Sequence, residues 1–129
     1  MYRTAILTLI MFFALAERAA AADPNAGASV FKKCLPCHAI GPGAANRVGP
    51  ELNGLFGRAA GSAPGYNYSQ ANKSSGIMWS EEIFSRYIRD PRGVVPGTKM
   101  TFPGLKSDDD ISNLIAYLKQ FGPDGQPKH

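Results

Sequence analysis

Cysteine, histidine and tryptophan are scarce in this chain, whose 129 residues hold 2 Cys, 2 His and 1 Trp. Two thiols cannot build a disulfide framework, and an all-cysteine zinc site needs four. Charge is sparse and nearly balanced, with 14 Lys and Arg against 10 Asp and Glu, which gives no footprint for nucleic acid. Repeats are missing, and so are the alternating apolar and polar runs of half-buried strands. The largely apolar stretch from Ala5 to Ala16 falls short of the roughly 20 residues that span a bilayer. Gly and Pro, by contrast, are abundant at 14 and 10 residues, and they commit much of the chain to loop. Hydrophobic residues at 44% suffice for a core in one small domain. A loop-rich domain of this size needs something besides side chains to fill its middle.

Arg3, the run Ala5 to Ala16 and the small residues Ala20-Ala21-Ala22 read as a cleaved export signal over residues 1–22. Glu17 interrupts the run too early for a retained anchor. Residues 23–129 then form the domain, delivered to a bacterial periplasm. Asp23-Pro24-Asn25 offers caps for a first helix over Ala26 to Lys33. Residues 41 to 65 hold seven Gly and three Pro with no helical or strand period, and read as one long ordered loop. Ser69 to Ser75 can close one or two helical turns.

Ser80 caps a helix in which Ile83, Phe84, Tyr87 and Ile88 recur at helical spacing, and Asp90-Pro91 stops it. Another loop covers 91 to 104. Ser107 opens the clearest helix, with Asp108, Asp109 and Asp110 in its first turn and Ile111, Leu114, Ile115 and Leu118 as its stripe. Gly122-Pro123 ends it. The expected fold class is all-α, three main helices joined by two long Gly/Pro-rich loops. Helices so few cannot make a full core on each other, so the loops must wrap something.

Both cysteines lie in Cys34-Leu35-Pro36-Cys37-His38, the C-x-x-C-H spacing at which haem is attached. Two thiols on one turn can reach the two vinyl groups of one porphyrin, and the next residue, His38, then stands under the iron as an axial ligand. Three rivals remain beside this reading. A thioredoxin-like redox pair would call for a βαβ pattern, which the chain lacks. A zinc site would have only His129 to add, and a plain disulfide leaves His38 and the long loops unexplained. For the second axial ligand, Met1 and Met11 leave with the signal, and Met78 precedes a helix as a gap-filling residue. Met100, in the rigidly punctuated loop Pro96-Gly97-Thr98-Lys99-Met100, is the strong choice.

From Gly27 to Phe121 the chain resembles class I c-type cytochromes, in particular bacterial periplasmic relatives of the mitochondrial protein. The likeness is carried by the haem motif, by Gly49-Pro50-Glu51-Leu52-Asn53-Gly54-Leu55-Phe56-Gly57-Arg58, and by Ala63-Pro64-Gly65-Tyr66-Asn67-Tyr68. Ala71-Asn72-Lys73, Trp79, Pro96 to Met100 and Leu114 to Leu118 complete it. The resemblance implies the small cytochrome c fold around one covalent haem c, held through Cys34 and Cys37 and ligated by His38 and Met100. It implies that the Pro50 carbonyl accepts from the His38 ring, and that Tyr68 and Trp79 donate to a buried propionate with Arg58 nearby. It places Tyr87 and Thr98 beside Met100, Asn72 in the polar network beneath, and Gly27 where the first helix meets the last near Tyr117.

The chain departs from the family pattern twice. Relatives use a histidine to tie the loop after the haem motif to its neighbour, where Asn46 and Arg47 stand here. Gly93 replaces a lysine of the mitochondrial relatives. With six ligands filled, such a centre implies one-electron transport and no catalysis. A peroxidase that opens the Met100 bond, and a thiol–disulfide oxidoreductase using Cys34 and Cys37, are the competing classes. The implied protein is a soluble monomer in the periplasm. By resemblance Lys33, Arg47, Arg92, Lys99 and Lys106 ring the exposed haem edge. The implied partners are acidic docking faces of membrane redox complexes: a quinol-oxidising cytochrome complex, a terminal oxidase or a reaction centre.

Overall fold

The computed structural model describes residues 21–128. The leader reading covers residues 1–22, of which 1–20 lie outside them, as does His129. Five helices follow in order: α1 (Pro24–Phe31), α2 (Gln70–Lys73), α3 (Glu81–Arg89), α4 (Pro91–Val94) and α5 (Asp108–Leu118). The three expected main helices are α1, α3 and α5. Strand pairing among the described residues is confined to two isolated bridges, Ala59 with Met78 and Phe121 with Pro127. No helix among the described residues is long and apolar enough to cross a membrane.

α1 ends at Phe31, two residues short of the expected Lys33, and three other boundaries differ from the sequence reading, each for a local reason. α1 starts two residues earlier because the Asp23 carboxylate accepts from the Asn25 N–H at 2.8 Å and Pro24 takes the first helical position, where a missing N–H costs nothing. The stretch expected as loop from 91 to 104 opens instead with one helical turn. Asp90 both ends α3 and caps α4 by accepting from Gly93 N–H, so Pro91 stops one helix and starts the next. α5 ends at Leu118, four residues before the expected stop at Gly122. There the bonds tighten to Gln120 N–H to Tyr117 O (3.2 Å) and Phe121 N–H to Leu118 O (3.3 Å), the tighter spacing common at frayed helix ends.

α1 and α5 cross at Gly27. A Cβ built there would lie 1.9 Å from the Asn113 carbonyl oxygen and 2.8 Å from Tyr117 Cβ, so no other residue lets the backbones meet. Phe31 of α1 packs against Tyr117 at 5.2 Å between ring centroids, the rings tilted by 46°. Phe31, Ile111, Leu114 and Leu118 are almost wholly buried at this crossing. A second part of the same core joins Trp79, Phe84, Tyr87, Ile88, Val95 and Leu105.

The long loop is pinned at its flanks. Gly57 N–H donates to Trp79 O at 2.7 Å and Ala60 N–H to Ile77 O at 2.8 Å. The amide of buried Asn53 both accepts from Gly41 N–H (2.8 Å) and donates to Gly41 O (2.9 Å). These bonds give buried loop backbone the partners that helices and sheets otherwise supply.

Candidate functional site

Beyond α1 the chain winds into a run of turns. Cys34 N–H bonds to Phe31 O at 2.8 Å, Cys37 N–H to Cys34 O at 3.0 Å and His38 N–H to Cys34 O at 2.9 Å. This winding turns Cys34, Cys37 and His38 onto one wall of a cavity of about 610 Å³, in the range of sites that bury a sizeable organic ligand. Both cysteines are free thiols in the structure. Burial, with Cys37 as a near neighbour, pushes the Cys34 thiol up to about 11, partly offset by Lys33.

The imidazole is fixed by its Nδ1, 2.7 Å from Pro50 O. A carbonyl can only accept, so Nδ1 carries the proton and Nε2 keeps the lone pair that binds a metal. Burial holds His38 below its usual range against the opposing pull of the Pro50 bond, and the Arg58 charge adds to the lowering. The ring is therefore neutral, as a ligand must be. Gly49 makes room for it: a Cβ there would sit 2.3 Å from His38 Cε1.

Met100 reaches the same cavity from the loop after α4. Its Sδ accepts from Tyr87 Oη at 3.3 Å, its N–H donates to Thr98 Oγ1 at 3.2 Å, and Thr98 Oγ1 lies 3.5 Å from Tyr87 Oη. Burial raises the Tyr87 hydroxyl, partly offset by its Thr98 contact. Met78 is 55% exposed and does not line the cavity, although its backbone bridges to Ala59, which does.

The remaining expected residues also line the cavity: Pro50, Arg58, Tyr68, Asn72, Trp79, Tyr87 and Thr98. Tyr68 Oη accepts from Ala63 N–H at 2.9 Å, and Trp79 packs edge-on to Tyr87 at 4.9 Å. Asn72 Oδ1 is buried with no hydrogen-bond partner, an acceptor that only a hydrogen-bond donor would satisfy. Lys33 and Lys99 stand at the cavity, with Lys99 Nζ on Asn67 O at 2.5 Å. Lys106 Nζ donates to Arg89 O at 2.7 Å, Arg47 donates to Leu35 O at 3.1 Å, and Arg92 is exposed.

The loop tie expected of a histidine is made by Asn46. Its Nδ2 donates to Pro64 O at 2.8 Å and its Oδ1 accepts from Glu51 N–H at 3.0 Å. Sequence reasoning assigned no role to Glu51, whose carboxylate pairs with Arg58 at 3.0 Å. The only signal was an acidic residue seven positions before that arginine, in a stretch without period.

The donor set, two thiols, an imidazole with Nε2 left over and a thioether on one cavity, fits a haem, and no group of three His, Cys, Asp or Glu among the described residues is placed to hold a metal ion. A family model described as Cytochrome c matches residues 24–122. The chain belongs to the cytochrome c family. It is 55% identical over 126 residues to cytochrome c2 of Blastochloris viridis, covering 98% of this chain and 99% of that one. With cytochrome c-550 of Bradyrhizobium diazoefficiens it shares 57% over 103 residues, covering 80% and 76%. The solved structure of cytochrome c2 from Rhodospirillum centenum superposes with a TM-score of 0.75 at 40% identity, over 78% of this chain and 99% of that one. Membership makes this an electron-transport protein of the haem-iron class, and the all-α architecture is the family's own.

Proposed function

We propose that the chain holds one haem c through thioether links from Cys34 and Cys37, with His38 and Met100 as axial ligands, and that it carries single electrons between membrane redox complexes in the periplasm. What supports this most is the convergence of those four side chains, from two distant parts of the sequence, on one cavity. The haem supplies a one-electron ferric–ferrous couple. The chain supplies everything else. Pro50 orients the imidazole and keeps Nε2 free. Tyr87 and Thr98 hold the thioether in place. A thioether ligand and walls such as Phe31, Leu52, Phe102 and Leu114 both disfavour the extra charge of the ferric state and so raise the potential.

Tyr68, Trp79, Asn72 and Arg58 give the propionate edge polar neighbours. With protein groups on both axial sides no position is open to a substrate, which favours carriage over peroxidase chemistry. Residues 23–129 would work as a monomer after loss of the leader. Lys33, Arg47, Arg92, Lys99 and Lys106 would steer it to acidic faces on a quinol-oxidising complex, an oxidase or a reaction centre.

The test uses protein exported from a host that attaches haem. Haem is expected to stay with the chain through denaturing electrophoresis and acid–acetone extraction. Cys34→Ala and Cys37→Ala should sharply lower holoprotein yield. Haem extracted intact from the wild type overturns the covalent reading.

A further inference from the structure

Arg58 lines the cavity, yet its charge is already engaged. Nη1 donates to Glu51 Oε1 at 3.0 Å and to Asn53 O at 3.1 Å, and Nη2 donates to Glu51 O at 2.8 Å. Glu51 does not line the cavity. Its second carboxylate oxygen accepts from Asn53 N–H at 2.7 Å, and its own N–H is held by Asn46. The two side chains are only 16% and 20% exposed, so solvent and salt screen them weakly. One carboxylate thus meets an arginine and a backbone N–H, while the arginine is gripped at three acceptors from a single short stretch of loop. Burial raises the Tyr68 hydroxyl at the cavity wall and its Ala63 bond opposes this; both charges act there too, Arg58 lowering it and Glu51 raising it.

We infer that Glu51 is a positioning residue: it fixes the Arg58 guanidinium at the cavity wall and offsets its charge there, and so lowers the reduction potential of the centre. The inference rests on the haem reading above. A positive charge near the iron penalises the ferric state, and a carboxylate beside that charge relieves the penalty. Arg58 stands nearer the cavity, so the offset is partial. The field ranks four proteins in order of falling potential: Glu51→Gln, wild type, the double variant Glu51→Gln with Arg58→Gln, and Arg58→Gln.

The test measures midpoint potentials of these four holoproteins at a pH well above the carboxylate range, alongside the ferric spectrum that reports Met100 ligation. The expected result is an upward shift for Glu51→Gln and a double variant above Arg58→Gln, with the ligation spectrum unchanged. A Glu51→Gln potential equal to or below wild type overturns the inference. If Glu51→Gln yields no holoprotein, the double variant decides, because it strands no charge: a potential equal to that of Arg58→Gln overturns the inference and a higher one supports it. Failure of the haem reading looks different, since none of the proteins would then show a haem spectrum.

Discussion

A thioether is a weak ligand whose hold on iron depends on where its loop puts it. Tyr87 Oη sits 3.3 Å from Met100 Sδ and Thr98 Oγ1 takes the Met100 N–H, so sulfur and backbone are both restrained. Met78 has neither restraint and faces solvent. Met100→Ala should therefore abolish the red charge-transfer absorption of the ferric protein, lower its potential and admit cyanide or carbon monoxide, while Met78→Ala leaves all three unchanged. Cyanide titration of the two variants checks this, and equal behaviour would remove Met100 from the axial position. The residues with their own chemistry, Cys34, Cys37, His38 and Met100, were legible because few others of those types exist in the chain. Glu51 was not. Its role depends on a loop path that brings it to Arg58, and loops without period leave no trace of their path in the sequence.

Among elements, the α1–α5 crossing is the contact most sensitive to a single atom. A Cβ at Gly27 would overlap the Asn113 carbonyl, which is backbone and cannot swing aside. Gly27→Val should cost at least about 1–3 kcal/mol, the usual range for overpacking. Ser29→Ala, on the exposed side of the same helix, should stay within about 0.5 kcal/mol. Denaturant unfolding of the holoproteins separates the two, and a neutral Gly27→Val would mean the helices do not cross there. Helix caps were the readable part of the architecture: Ser80 and Ser107 each accept the N–H expected of an N-cap. α4 went unread because Asp90-Pro91 is a stop signal by its effect on α3 and a start signal by its own geometry. Sequence pattern shows the first more strongly than the second.

For the molecule as a whole, a carrier must meet its partners quickly and let them go, and charge near the exit route serves that better than total charge. Lys33 and Lys99 stand at the cavity. Lys119 caps the C-terminus of α5 and pairs with Glu81 at 3.3 Å, and Lys128 lies in the exposed tail. Lys33→Glu or Lys99→Glu should slow second-order electron transfer with an oxidase, reaction centre or quinol-oxidising complex and weaken its salt dependence. Lys119→Glu and Lys128→Glu make the same change in net charge and should do much less. Stopped-flow rates over a range of ionic strength check this, and equal slowing by all four would leave only a net-charge effect. The central claim is a single haem gripped from both sides by His38 and Met100, and the optical spectrum of the purified holoprotein tests it most directly. The ferrous form should show an intense Soret band with the sharp visible bands of low-spin six-coordinate iron, and the ferric form the weak red band of a methionine–iron bond. A high-spin ferric spectrum without that band, or no Soret band at all, would contradict it.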